Sequence, residues 1–203
     1  MRCLLCDERK NGSLWELFFS KDPLCFECRS SLLRKSICFE FHGVYLRADY
    51  VYDVAFSRLL RQFKEQKDEA LKSVFLYGLE KKIWWRYRGY TVVFMPSRKD
   101  KLQERGFFPL QEIFANIPLQ QKTLFKKEGA MDQKDASLEQ RLEVGKSISL
   151  ISDGDIPKRI LLVDDTITTG ATLKAALDLL KEKEVEIQIY CLSVNQKWLS
   201  NLL

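Results

Sequence analysis

The sequence has almost no histidine, no long apolar run and no repeat. Its 203 residues hold one histidine, His42, so a general base would have to be a carboxylate or the bound molecule itself. No stretch approaches the roughly 20 apolar residues that span a bilayer. No apolar segment follows Met1, Arg2 and Cys3, which speaks against a secretory signal and leads us to expect a cytoplasmic protein without membrane insertion. Neither G-x-x-x-x-G-K-[ST] nor G-x-G-x-x-G occurs. The phosphate loops of nucleoside triphosphatases and dinucleotide-binding folds are therefore missing.

What is present is the composition of a globular protein, 46% hydrophobic and 30% charged, with room for one ordinary domain and a small appended module. Six cysteines in a reducing compartment are ligands or core residues rather than disulfides. Cys3 and Cys6 form one C-x2-C pair, and Cys25 and Cys28 form another after eighteen residues. Two such knuckles complete a closed tetrahedral site, so a structural Zn2+ is expected, with no open position for a water. Cys38 and Cys191 read as small buried apolar residues. The cysteine-dense module is assigned to residues 1–42 and the main domain to residues 43–203.

From Tyr50 onward the pattern changes. Val51, Ala55, Leu59 and Phe63, then Leu71, Val74, Phe75 and Leu79, predict one or two amphipathic helices. Residues 90–95 predict a buried strand stopped by Pro96, and 106–117 return to helical spacing. A weaker strand is expected near 121–125, a mobile loop over 126–135, and a helix capped by Ser137 that runs to about 148. Residues 159–163 form an apolar strand, 171–183 a helix, and 185–194 a strand with Val185, Ile187, Ile189 and Cys191 on one face. Strands alternating with helices imply a mostly parallel sheet.

The strand at 160–163 ends in Asp164 and Asp165, and a polar loop through Thr166, Thr168, Thr169, Gly170 and Thr172 then opens a helix. Free N–H groups and the positive end of the helix dipole make such a loop a phosphate cradle. Gly170 lets the backbone approach closely, and the threonines add hydroxyl donors. Paired carboxylates at the other end suit vicinal ribose hydroxyls. Phosphate at one end and diol at the other describe a ribose 5-phosphate.

Residues 160–172 resemble the 13-residue signature of type I phosphoribosyltransferases, and with the four-cysteine head the whole chain is similar to the ComF family of competence proteins, which includes GntX-type proteins. Tyr52, Asp53, Phe63, Lys64 and Asp68 resemble that family's first helix, and Met95, Pro96 and Ser97 its pyrophosphate-side loop. Arg105, Gly106 and Phe107 match an Arg-Gly-Phe-Asn element, with Phe108 in the Asn position; Gln133 and Arg141 match later positions, and Val144 stands where a further Asn is common.

The resemblance implies an α/β fold of the type I phosphoribosyltransferase kind, with a mostly parallel sheet flanked by helices and a zinc-ribbon-like module at the N-terminus. It implies that Asp164 and Asp165, the candidate catalytic residues, hold the ribose hydroxyls, and that Thr168, Thr169, Gly170, Ala171 and Thr172 hold the 5-phosphate. Mg2+ would bridge pyrophosphate and ribose oxygens of phosphoribosyl pyrophosphate or a related phosphosugar. Ser97 falls on the pyrophosphate side, and Arg105 offers that anion a forked donor set.

The formal charge of +5 is too small to identify a partner, but residues 81–105 concentrate Lys81, Lys82, Arg86, Arg88, Arg98, Lys99, Lys101 and Arg105 against Asp100 and Glu104. Trp84, Trp85, Tyr87 and Tyr90 interleave with them, and cations that track a backbone beside rings that stack on bases suit single-stranded DNA. A packing role for the tryptophans stands beside that reading. The resemblance implies a DNA-uptake factor that binds single-stranded DNA and cooperates with the ATP-driven competence helicase in natural transformation. Two alternatives stay open: an active phosphoribosyltransferase with an unidentified nucleobase-like acceptor, and a non-catalytic sensor of the phosphoribosyl donor.

Overall fold

The computed structural model describes residues 2–10, 22–97, 99–127, 148–151 and 155–199. After the cysteine-bearing segment and α1 (Phe26–Ser31), the chain forms β1 (Arg34–Phe41), β2 (Val44–Tyr52), α2 (Val54–Glu65), α3 (Lys72–Phe75) and α4 (Glu80–Tyr87). There follow β3 (Thr91–Phe94), α5 (Lys99–Arg105), α6 (Pro109–Phe114), β4 (Gln121–Lys122), β5 (Phe125–Lys127) and β6 (Ile148–Leu150). The last elements are β7 (Arg159–Ile167), α7 (Ala171–Leu180), β8 (Glu186–Asn195) and α8 (Gln196–Leu199).

Six strands form one sheet in the order β1-β2-β8-β7-β3-β4, and β5 pairs with β6 in a second, two-stranded sheet. Only the β1–β2 pair of the large sheet is antiparallel; the other neighbours are parallel. The central strands are buried on both faces, as parallel strands covered by helices must be. Leu161, Val163, Tyr190 and Leu192 face one core with α2, α3, α4 and α6, while Ile160, Leu162, Ile189 and Cys191 face the other with α7. Cys3, Leu24, Cys25 and Leu32 of the cysteine-bearing segment join the first core.

α2 illustrates how the pattern makes an element. Phe56, Leu59, Leu60 and Phe63 are its buried residues, spaced so that one stripe meets the sheet. Asp53 caps it by accepting from the Phe56 N–H at 2.8 Å, a contribution of about 1 kcal/mol. Val51, read from periodicity as helical, belongs instead to β2, because the pleated pairing with β8 outweighs a four-residue spacing.

Other boundaries also moved. β7 continues to Ile167, so Asp164 and Asp165 lie at the strand end as expected, while Thr166 belongs to the strand and not to the loop. A helix at Lys99–Arg105 occupies what reads as loop after Pro96, and the weak strand near 121–125 is two short ones, β4 and β5. Cys191 is buried as expected, but Cys38 is exposed on the edge strand β1. The helix expected from Ser137, most of the loop expected at 126–135, and Gln133, Arg141 and Val144 lie outside the described residues. No helix among the described residues is long and apolar enough to cross a membrane.

Candidate functional site

The apolar centre of β7 fixes the site. Ile160, Leu161, Leu162 and Val163 are fully buried between β3 and β8, which delivers Asp164 and Asp165 to the carboxyl end of the sheet, where open α/β folds place ligands. The Met95 N–H donates to the Val163 carbonyl at 2.8 Å, bringing Pro96 and Ser97 alongside. A cleft of ≈ 450 Å³ opens there, lined by Asp164, Asp165, Thr172, Ser97 and Arg105 together with Lys64, Lys101, Lys126 and Lys127. Its apolar wall includes Phe94, Phe108, Leu110 and Ile151.

The carboxylates differ in setting. The Asp165 N–H donates to Asp164 Oδ1 at 2.8 Å, and Lys64 Nζ at the end of α2 donates to Asp165 Oδ2. Burial pushes Asp164 up to about 6, against the opposing pull of Lys64 and Lys127. Burial pushes the Lys64 ammonium down to about 8, although Asp164 favours its charged form. Arg105 is mostly buried and pairs with Glu65, while its Nε finds no acceptor among the described residues.

The turn after β7 is held from behind. Gly170 has φ 73°, and a Cβ there would lie 2.6 Å from Phe41 ring carbons, so both conformation and space call for glycine. Trp198 Nε1 donates to the Thr168 carbonyl at 2.8 Å and stacks on Phe39 at 5.6 Å. Thr168 and Thr169 stay exposed on this buttressed turn, ahead of the N-terminus of α7. Thr166 is engaged sideways, its hydroxyl 2.8 Å from Ser193 Oγ on β8.

Because folded Asp164 holds its proton up to about 6, against 3.8 ordinarily, it binds that proton more tightly than the unfolded chain does. Its contribution to stability is full below the ordinary carboxylate range and is lost as pH rises through about 6. Asp164→Asn is therefore expected to raise the melting temperature at pH 7.5 by a few degrees, on the order of 2 kcal/mol, and to leave it unchanged near pH 4. Parallel thermal melts at the two pH values check this; equal melting temperatures for both proteins at pH 7.5 would contradict the buried-carboxylate account.

At the opposite end of the chain the sulfurs of Cys3, Cys6, Cys25 and Cys28 all lie within 4.8 Å of one another. Cys6 and Cys25 Sγ are 3.9 Å apart, near the about 3.8 Å expected for two sulfurs on one tetrahedral zinc at 2.3 Å. The Leu5 N–H donates to Cys3 Sγ and the Cys28 N–H to Cys25 Sγ, both at 3.4 Å. Burial pushes the Cys3 thiol up, but N–H donors of Cys25, Cys6 and Leu5 outweigh it and hold it at about 6. The four sulfurs can hold a metal ion.

The phosphoribosyl transferase domain family matches residues 120–197. The competence protein ComFC of Streptococcus pneumoniae is 27% identical over 208 residues, covering 90% of this chain and 94% of that one. The chain is thus similar to a ComFC protein over nearly all of its length and carries a match to the phosphoribosyl transferase domain in its carboxy-terminal part. An adenine phosphoribosyltransferase of Xanthomonas oryzae pv. oryzae is 34% identical over 82 residues, 36% of this chain but only 44% of that relative. A hypoxanthine phosphoribosyltransferase from Staphylococcus aureus superposes with a TM-score of 0.38 at 17% identity, over 61% of this chain and 62% of that one.

The basic stretch does not form one patch. β3 divides it: Lys101 and Arg105 line the cleft, whereas Lys81, Lys82, Arg86 and Arg88 are exposed on and just after α4, which leads into the amino end of β3. Arg98 lies outside the described residues, as does the side chain of Lys99. Tyr87 and Tyr90 are core residues and so unavailable to a nucleic acid. Trp84 packs partly against the core, while Trp85 is 59% exposed with the Arg88 guanidinium 4.8 Å from its ring centre.

Lys126, Lys127 and the active placement of Lys64 have no counterpart in the sequence reading. Lys64 could have been found from its position: it follows the buried stripe of α2 by one residue, so its stem is covered and its ammonium must emerge at the helix end.

Proposed function

We propose that this chain is a competence factor whose cleft binds phosphoribosyl pyrophosphate or a closely related phosphosugar, and which handles single-stranded DNA alongside the ATP-driven competence helicase. The observation that carries the first part is the convergence, in one cleft, of two strand-end carboxylates, Thr172 on the first turn of the helix that follows the glycine turn, and five cationic side chains. A diol, a 5-phosphate and a pyrophosphate need those three elements. Arg105 Nε, without an acceptor among the described residues, leaves a donor that supports an anion on the pyrophosphate side of the cleft, which Ser97 also lines. Asp164 and Asp165 supply the hard oxygen donors that fit Mg2+; with the ligand bound, the ion would neutralise charge on the pyrophosphate.

The DNA part rests on exposed Lys81, Lys82, Arg86 and Arg88 around Trp85, together with the likeness to a competence protein. Replacing those four cations with Ala is expected to weaken binding of a labelled single-stranded oligonucleotide. Each lost contact should reduce the log–log salt slope by roughly 0.7. An unchanged slope in a folded variant with a lower melting temperature would make these residues structural. A transferase acting on a nucleobase-like acceptor is the second reading, favoured by Phe108, 54% exposed on the cleft's apolar wall. Release of pyrophosphate from the donor only when a nucleobase is added would select it.

A further inference from the structure

We infer that Lys64 is the resident counter-ion of the Asp164–Asp165 pair and weakens the hold of that pair on a bare divalent cation in the unliganded site. The inference rests on the proposed ligand reading, and it concerns a residue to which neither composition nor motif assigns a part in binding.

The geometry leads to it in three steps. Lys64 is anchored on α2 next to Phe63, a fully buried residue, and its side chain is only 14% exposed. Its ammonium reaches across 101 residues of sequence to Asp165, and Asp164 acts on it as well. A lysine whose stem is packed in this way is a fixed charge, unlike a surface lysine that samples solvent.

Next comes the charge of the cleft as a whole. Five cationic residues, Lys64, Lys101, Arg105, Lys126 and Lys127, line it against two carboxylates, Asp164 and Asp165. Lys101 and Arg105 also have outside partners, Glu104 and Glu65. A bare divalent cation approaching the acid pair meets one carboxylate already engaged by Lys64 in a cleft whose charged lining is mostly positive, which opposes binding. A polyanion meets the reverse. Once its phosphates are in place they satisfy the cations, and a metal ion gains oxygen ligands from the phosphosugar.

Last, the exchange has room to occur. Asp165 is 26% exposed at its side chain, so a ribose hydroxyl or an ion can reach the oxygen that Lys64 now holds.

The test is Mn2+ binding to the intact protein without any sugar phosphate, read from the loss of the free aqua-ion signal in electron paramagnetic resonance. Wild type is expected to bind Mn2+ weakly at the cleft. Lys64→Met, which keeps the buried stem, is expected to bind about tenfold more tightly or better, because the acid pair loses its internal cation. Lys64→Gln, which keeps a polar tip and removes only the charge, should do the same. Adding Asp165→Asn to Lys64→Met should abolish the gain. Equal Mn2+ affinity in wild type and both folded Lys64 variants would overturn the inference, as would a gain that survives Asp165→Asn. Phosphoribosyl pyrophosphate binding to wild type is measured separately; its absence would sink the ligand reading and not the Mn2+ comparison.

Discussion

Cys25→Ser is expected to strip the metal from the four-cysteine cluster and to lower the melting temperature by roughly 10 °C or more, the largest effect of any single substitution outside the sheet core. The reason lies in where the cluster sits. Structural zinc sites contribute about 10–16 kcal/mol of binding free energy at neutral pH, and a zinc ion on these four sulfurs would hold in place apolar residues that the main core shares. Leu24 is 4% exposed and Leu32 3%, in one cluster with Phe56, Val74 and Phe75. Arg29, on the α1 helix that the second knuckle opens, ties the module down: it donates to both Asp22 carboxylate oxygens at 2.8 and 2.7 Å and to the Val74 carbonyl at 3.1 Å. Without metal, four sulfurs within 4.8 Å lose the ion that holds them together, and the apolar residues between them are exposed. Elemental analysis should give one zinc per wild-type chain and none in the variant, and a chelator should move the wild-type melt towards the variant's. Four thiols that react freely with a thiol reagent in native protein would refute the site.

The sheet was legible where burial on both faces leaves an apolar run, as at Ile160–Val163, or where one face alternates, as at Ile187, Ile189 and Cys191. β2 was not, and the reason is instructive. Its run carries Arg47 and Asp49, which read as surface residues, yet they are 5% and 3% exposed. They satisfy each other at 2.7 Å, and Tyr190 on β8 donates to the second Asp49 oxygen at 3.0 Å. Partners 141 positions apart leave no trace in a local pattern, so a buried polar network looks like a solvated strand edge.

The cleft divides along the same line. Asp164, Asp165 and the Thr-Gly turn are contiguous, so their chemistry could be read as a unit. Lys64 and Lys127 reach the acid pair from other elements, and only the fold makes them neighbours. The basic stretch shows the opposite case: its residues are close in sequence, and the four residues of β3 separate them in space.

Asp164→Ala combined with Asp165→Ala is expected to reduce affinity for phosphoribosyl pyrophosphate by at least about a hundredfold while the protein stays folded. Each carboxylate is proposed to accept from a ribose hydroxyl, and a hydrogen bond to a charged group contributes about 1.5–3 kcal/mol, so the loss of two exceeds tenfold twice over. Stability should not follow affinity. Neither carboxylate is a core residue; burial disfavours the charged form of Asp164, so its removal costs little at neutral pH, and Asp165 is engaged chiefly by Lys64. Removing both leaves Lys64 as an uncompensated positive charge beside the other cleft cations, which by itself favours anions. Inorganic pyrophosphate should therefore bind the double variant at least as well as wild type, while the ribose-bearing ligand loses its advantage over it. Calorimetric titration of both ligands into both proteins separates a lost diol contact from a collapsed cleft: the first removes only the difference between the ligands, the second removes both. Undiminished affinity for phosphoribosyl pyrophosphate in the folded double variant would refute the assignment of these carboxylates.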